Sequence, residues 1–278
     1  MQNTVIEAIS YYVSHSPYNL HQDRETPYFD APLVGFAAAD DPLFANFKQI
    51  IGDFHLTPRE LLPQATTVIS WVLPIVKPTR MSNRRQNRWP SQAWAHTRGH
   101  GESFNNELRR HMVSWLEKQG YQAVAPQLSE LWQWVEIPDQ GPSSRWSERH
   151  IAYTAGLGTF SLNDGLITPV GIAHRVGSVV TSLSLPPTPR TAKDYRENCL
   201  WYREGTCGLC IRRCPVEALS PQGHDKLICN QYVYNTVQQE LSETYGVDQP
   251  GCGLCQTAVP CETRIPASIK KRSPNTTT

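Results

Sequence analysis

The first 198 of the 278 residues contain no cysteine. A disulfide framework is therefore excluded for most of the chain. No apolar run is long enough to span a bilayer, which excludes a membrane span by sequence. The N-terminus, MQNTVIEAISYYVSHS, has an acid among its apolar residues and no basic flank, so it does not read as a secretory signal. These absences predict a cytoplasmic protein whose thiols stay reduced. An excess of charge is missing too. Twenty-six Lys+Arg against 25 Asp+Glu leave a net charge of +1. Bulk attraction to nucleic acid or to an anionic membrane is excluded, and only local patches remain for such partners. Charged residues make up 18% and hydrophobic residues 39%, a balance that builds a core rather than a disordered chain. The length suits one large domain, or a medium domain with a small one.

What is present is concentrated. All eight cysteines fall at positions 199, 207, 210, 214, 229, 252, 255 and 261. Residues that served only as small core side chains would be scattered, so this packing favours metal. The first group reads Cys199-x7-Cys207-x2-Cys210-x3-Cys214-Pro215. The second reads Cys229-x22-Cys252-x2-Cys255-x5-Cys261. A Cys-x-x-Cys turn sets two sulfurs on one side of a tight loop. Two-cluster bacterial ferredoxins run C-x2-C-x2-C-x3-C-P, with the fourth cysteine ligating the other cluster. The C-x2-C-x3-C-P end stands here, with the first cysteine moved back. By that logic one [4Fe–4S] cluster takes Cys199, Cys207, Cys210 and, crossing over, Cys261. The other takes Cys229, Cys252, Cys255 and Cys214. Two all-cysteine zinc sites would use the same eight thiolates, and that alternative stays open here.

The stretch 184–198, SLPPTPRTAKDYREN, is rich in proline and polar residues and reads as a linker. It divides the chain into residues 1–184, a cysteine-rich domain over 193–265, and a polar tail, 266–278, expected to be disordered. In the first part, 3–14 has helical spacing and LVGFAAAD (33–40) reads as a short strand. PLFANFKQIIG (42–52) has Pro42 near its start and Gly52 at its end, as a helix does. TTVISWVLPI (66–75) is β-branched and apolar throughout, the mark of a buried strand. The spacing from 103 to 120 predicts an amphipathic helix with Ser103 as N-cap and Leu108, Met112, Trp115 and Leu116 on its apolar face. YQAVAP returns as a strand, a helix over 146–156 stops at Gly156, and 175–185 reads as a strand. Helices mixed with strands predict an α+β (α/β-like) fold.

One segment carries a wider resemblance. In 148–182 stand Ala155-Gly156-Leu157-Gly158, Asn163, Leu166-Ile167, Gly177-Ser178 and Thr181. This resembles the central segment of the epoxyqueuosine reductases, cobalamin-dependent iron–sulfur enzymes related to reductive dehalogenases. The resemblance runs on through both cysteine groups, including CNQYVY from Cys229, and covers roughly residues 60–262. It implies a nitroreductase-like cofactor domain followed by a two-cluster ferredoxin-like domain. It also implies that electrons pass through two [4Fe–4S] clusters to a cobalamin that reduces a small or nucleoside-like substrate. An external low-potential donor such as ferredoxin or flavodoxin would supply them. In the resemblance Arg98, Gly156, Leu157, Gly158, Asn163, Gly177 and Ser178 fall at the cofactor. The family's aspartate proton donor is replaced in Arg98-Gly99-His100-Gly101-Glu102. Glu102 and His100 are the nearest acids, and Tyr153 is a further donor. Burial beside a corrin would raise a glutamate toward a useful pKa. The family also implies tRNA as a partner, but the chain ends soon after Cys261, without the extension with which longer members hold it.

Plainer readings stand beside these. Gly156 and Gly158 also suit a helix stop and a turn. Seven arginines lie at 80, 84, 85, 88, 98, 109 and 110, interleaved with Trp89 and Trp94. They suit RNA, a cofactor's phosphate, or merely a solvated face. The chain reads first as a cobalamin-dependent reductase. An electron-transfer or corrinoid-reactivating protein serving a partner's cofactor is the alternative, and a zinc-stabilised RNA-binding module the third reading.

Overall fold

The structure is a computed structural model and describes residues 1–268. Residues 269–278 of the expected tail lie outside the described residues. In chain order the elements are α1 (Gln2–His15), β1 (Leu33–Ala38), α2 (Pro42–Ile50), α3 (Pro58–Leu61), β2 (Thr67–Pro74), α4 (Lys77–Arg84) and α5 (Gln92–Lys118). Then come β3 (Ala123–Val124), β4 (Trp134–Ile137), β5 (Gly141–Ser144), α6 (Glu148–Thr154), β6 (Thr159–Phe160), β7 (Leu166–Ile167) and β8 (His174–Thr181). The last part holds α7 (Leu200–Glu204), α8 (Leu209–Arg213), β9 (Leu219–Ser220), β10 (Gly223–His224), α9 (Lys226–Asn230) and α10 (Val237–Tyr245). Residues 231–236 join α9 to α10 as a π-helical segment.

A four-stranded antiparallel sheet in the order β1-β2-β8-β3 organises residues 1–185. Every residue of β2 is buried, because both faces of this inner strand are covered. Successive side chains point to opposite faces. Ile69, Trp71 and Leu73 pack with α1 and α5, while Val68 and Val72 pack with Phe44 and Phe47 of α2 and with Ile151 of α6. The fold is α+β, with helices on both faces of the sheet. Trp71 stands opposite Gly177 in the register. A Cβ at Gly177 would lie 2.6 Å from the Trp71 ring, so a glycine lets the indole lie flat across β8.

Helix α2 starts where local chemistry places it. The Asp41 side chain accepts from Leu43 N (3.0 Å) and Pro42 needs no donor partner. Helix α5 differs from expectation. It begins at Gln92, eleven residues before Ser103, and Ser91 caps it by accepting from Trp94 N (3.2 Å). Gly99 and Gly101, which precede the expected start at Ser103, are helical. Each costs the helix about 1 kcal/mol against alanine. Each also admits a close neighbour, Val247 at Gly99 and the Phe29 ring at Gly101. The strand expected over 121–126 shortens to Ala123–Val124.

The expected linker is a docked segment. Thr188 N donates to Phe36 O (2.9 Å), and Thr188 Oγ1 accepts from Phe36 N (3.0 Å). Thr188 thus meets the open edge of β1. Arg190 pairs with Asp41 (2.5 Å). The cysteine-rich part then packs back on the sheet region. Buried Glu262 accepts from Arg84 Nε (2.7 Å), Arg80 Nη1 (3.4 Å) and Ala258 N (2.8 Å). Arg213 donates to Gln86 O (2.7 Å) and Asn83 O (3.3 Å).

Candidate metal centre and its surroundings

Two turns of identical sequence, Cys207-Gly208-Leu209-Cys210 and Cys252-Gly253-Leu254-Cys255, share a left-handed glycine but differ at the first cysteine, where Cys207 alone is left-handed, at φ +86°. Gly208 and Gly253 are left-handed, at φ +69° and +65°, a conformation open to glycine at little cost. At Gly253 a Cβ would lie 2.1 Å from the Trp94 indole. Arg213 ties the two turns together, its Nε donating to Leu254 O (3.2 Å) and Thr257 O (3.1 Å). Cys199 precedes α7, Cys214 ends α8 and Cys229 sits in α9.

All eight cysteines are free thiols, and they neighbour one another in two fours. Cys199, Cys207, Cys210 and Cys261 line one cavity, walled by Leu162 and Ile167. Burial pushes the Cys210 thiol up to about 12, with Cys199 and Cys207 adding to the rise. Burial also raises Cys261, and Cys210, Cys199 and Cys207 are its charged neighbours. In the second four, burial lifts Cys252 to about 12. The Leu254 N–H opposes this, while Cys229 and Cys214 reinforce it. Cys255 is raised by burial, then by Cys252 and Cys229. It also feels Cys210, so the two fours adjoin. Among the described residues, no three His, Cys, Asp or Glu side chains converge on the geometry of a single bound ion.

Polar groups flank the thiols. Asn163 Nδ2 donates to Cys255 O (3.1 Å), and its Oδ1 accepts from Gly165 N (3.0 Å) and Ser161 Oγ (2.5 Å). His224 stands 3.0 Å from Asp164 and beside Cys229. Burial works against its charge, but Asp164 and the Cys229 sulfur lift it to about 9. Nothing in the cysteine spacing points to His224.

The three expected proton donors do not form one site. Glu102 is held by Arg109 Nη1 (2.8 Å) and by Arg175, whose Nε lies 2.8 Å away. Burial alone would raise its pKa as expected, but Arg175 and Arg109 overcome burial and hold it at about 2. Glu102 is therefore an ion-pair carboxylate, ionised at neutral pH. His100 lies beside His96, ring centroids 5.4 Å apart, and its buried Nε2 has no partner among the described residues. Tyr153 packs on Phe160, and burial raises its pKa; its charged neighbours are Arg190, Asp194 and Asp41. The buried network around Glu102 extends further. Arg109 Nη2 donates to Glu148 Oε1 (3.0 Å) and Ser178 Oγ donates to Glu148 Oε2 (2.7 Å). Sequence reading missed Arg109 and Glu148. The seven-residue spacing from Glu102 to Arg109, two helical turns, was the available signal.

The expected cofactor residues are mostly occupied by the protein itself. Gly156 is the left-handed residue after α6, and a Cβ there would meet Pro189 O at 3.0 Å. At Gly158 it would meet Ile167 O at 2.4 Å, and Gly177 lies under Trp71. Leu157 and Ser178 are buried. Only Arg98 keeps an outward aspect, with Nη2 donating to Tyr234 Oη (3.4 Å). At these glycines, where a bed for a planar cofactor was expected, the direction of the missing side chain is taken by protein atoms.

No family profile and no curated protein matches the chain. Solved structures do. An epoxyqueuosine reductase from Bacillus subtilis aligns with a TM-score of 0.54 at 18% identity, over 94% of this chain and 65% of that one. An epoxyqueuosine reductase with an epoxyqueuosine-modified tRNA-Tyr stem loop gives 0.55 at 19%, over 94% and 65%. A catabolic reductive dehalogenase in complex with 3-bromo-4-hydroxybenzoic acid gives 0.55 at 16%, over 94% and 32%. The chain has the fold of the epoxyqueuosine reductases and reductive dehalogenases. It spans 65% of the length of those epoxyqueuosine reductases, and at these identities the likeness is one of fold. Among the described residues no helix is long and apolar enough to cross a membrane.

Proposed function

We propose that the chain is an iron–sulfur oxidoreductase of the epoxyqueuosine reductase type. It relays electrons from a low-potential carrier through two [4Fe–4S] clusters to a cobalamin that reduces a small or nucleoside-like substrate. The observation that carries the relay is the gathering of eight free thiols, Cys207 exposed and the rest buried or half-buried, into two adjoining fours. Each four has the donor number and type a [4Fe–4S] cluster takes. Their thiols lift one another's pKa, and bound metal cations reverse that repulsion by stabilising thiolates. Cys199, Cys207, Cys210 and Cys261 would hold one cluster, and Cys214, Cys229, Cys252 and Cys255 the other. When bound, the clusters supply one-electron storage and relay. Asn163 and Arg213 fix the turns that carry Cys252 and Cys255, and Leu162 and Ile167 give the first four an apolar wall. The likeness in fold supports the same reading.

The cobalamin rests on the fold alone. A Cβ at Gly156, Gly158 or Gly177 would meet protein atoms, so these glycines serve close packing in the direction of their missing side chains. Of the expected donors, His100 is retained for its unpartnered Nε2. Glycines that packing alone accounts for favour a second reading, an electron-transfer or corrinoid-reactivating protein whose cobalamin belongs to a partner. Cobalt analysis and EPR of anaerobically purified protein supplied with cobalamin separate the two. Near-stoichiometric cobalt with a cob(II)alamin signal supports the reductase. Clusters without retained cobalt support the partner reading.

A further inference from the structure

An open cleft lies between the turn after α4 and the π-helical segment. Asn87 and Arg88 form one wall, Pro215 and Val216 another, and Tyr232 and Thr236 come from the π-helical segment. Tyr232 Oη donates to Arg88 O, joining the two sides. The cleft adjoins the second thiol four: Pro215 follows Cys214 directly, and Tyr232 has Cys252 and Cys214 among its charged neighbours. π-Helical turns often mark functional sites.

The rim is positive. Arg85, Arg88 and Arg212 are exposed and have no carboxylate partner among the described residues. Arg213 binds the carbonyls of Asn83 and Gln86, so α8 and its Arg212 run beside the Arg85 turn. Arg84 differs, being paired with Glu262. The acids close in sequence to the cleft walls are the exposed Glu217 and, one helical turn after Thr236, the exposed Glu240, against three arginines. An apolar element accompanies the charge: Ile228, 44% exposed, stands one helical turn before Tyr232. The aromatic rings are already engaged. Trp89 stacks on Tyr232 with centroids 5.9 Å apart, and the Arg88 guanidinium lies 4.6 Å from the Trp89 centroid. A single-stranded RNA site needs open ring faces for bases, whereas an acidic protein surface needs the free arginines.

We infer that this cleft is the docking site of a small acidic electron-carrier protein, held by Arg85, Arg88 and Arg212 with its cofactor toward the Cys214 side of the second four. The inference rests on the relay reading. At the dock the carrier is oxidised by one electron and the cluster reduced by one, with no bond made or broken.

The test is binding of a purified acidic flavodoxin to the cluster-loaded protein, by biolayer interferometry at low and high salt. The patch variant carries Arg85→Glu, Arg88→Glu and Arg212→Glu. A control with the same charge change carries Arg59→Glu, Arg110→Glu and Lys118→Glu, at exposed positions elsewhere. Salt-sensitive wild-type binding, weakened about tenfold or more by the patch variant and by less than about threefold in the control, is the expected result. Hydrogen exchange on the wild type gives an arm free of folding effects, with flavodoxin protecting 85–89 and 212–216. Equal binding by the patch variant and wild type, equal loss in the control, or protection confined to other segments overturns the dock. So does tRNA binding that the patch variant loses while flavodoxin binding is unchanged. Iron analysis judges the clusters separately: binding without iron removes the relay and leaves the dock standing, while iron without binding removes the dock.

Discussion

In the sheet region four charged side chains pair with one another, one of them buried and three half-buried. Arg109, fully inaccessible, bridges Glu102 and Glu148, and Arg175 closes on Glu102. In the cysteine-rich region Glu262 is buried against arginines of α4, and the thiols are set mainly against other thiols. The first region also has two large apolar clusters around β2, whereas the second contributes only Cys199 and Val259 to a small buried cluster that it shares with Leu162, Ile167 and Ile172 of the first. Its helices α7, α8 and α9 have five residues each, too short to be stable alone. The difference teaches what each region depends on. The sheet region is held by its own packing and compensated charge, whereas the cysteine-rich region needs a group that its thiols can bind.

Removing metal should break the comparison most strongly. Chelation after oxidation is expected to open residues 199–262 to limited proteolysis while the sheet region stays resistant, as mapped by mass spectrometry. Cleavage spread evenly over both regions would contradict the contrast. Next in size is Arg109→Ala, which leaves Glu148 without a cation and Glu102 with Arg175 alone. The expected cost is about 3–5 kcal/mol, read as a lower urea midpoint of the sheet region with unchanged iron content.

The acid limb sharpens the same point. Glu102 moves from an ordinary value of 4.5 to about 2 in the fold, because Arg175 and Arg109 outweigh burial. Its contribution is present above pH 4.5 and is lost as pH falls toward 2. Glu148 is raised by burial and acts in the opposite sense. Denaturation followed from pH 6 to 2 should therefore show a stability loss below pH 4.5 that Glu102→Gln flattens. The smallest effect concerns the segment after β8. Thr188→Val removes the hydroxyl that accepts from Phe36 N, for an expected loss of about 0.5–1.5 kcal/mol in thermal unfolding.

Much of the sheet region was legible because single residues mark its elements. Asp41-Pro42 starts α2, Gly120 stops α5 at φ +85°, and the unbroken apolar run 67–74 could only be a strand covered on both faces. The glycines were the hardest residues to read. Helix α5 was expected to start at Ser103, but Gly99 and Gly101 lie inside it against Val247 and Phe29. Gly156, Gly158 and Gly177 suggested a ligand bed, and a Cβ at each would meet a protein carbonyl or Trp71, a packing demand invisible in the local sequence. The prolines of 186–189 suggested a free linker, and the pairing of Thr188 with β1 depends on a strand edge 150 residues away that no local pattern shows. The ion network escaped because pairing across α5, α6 and β8 is tertiary. At the thiols the paired turns were plain from spacing. The nearness of Cys261 to Cys210, and of Cys214 to Cys252, depends on how α8 and the second turn are packed by Arg213.

Iron, zinc and acid-labile sulfide analysis of anaerobically purified protein, with EPR after reduction, tests the relay most directly. The account predicts about eight irons and eight sulfides per chain and the EPR signal of reduced [4Fe–4S] clusters. About two zinc ions per chain, with little iron and no EPR signal, would contradict it.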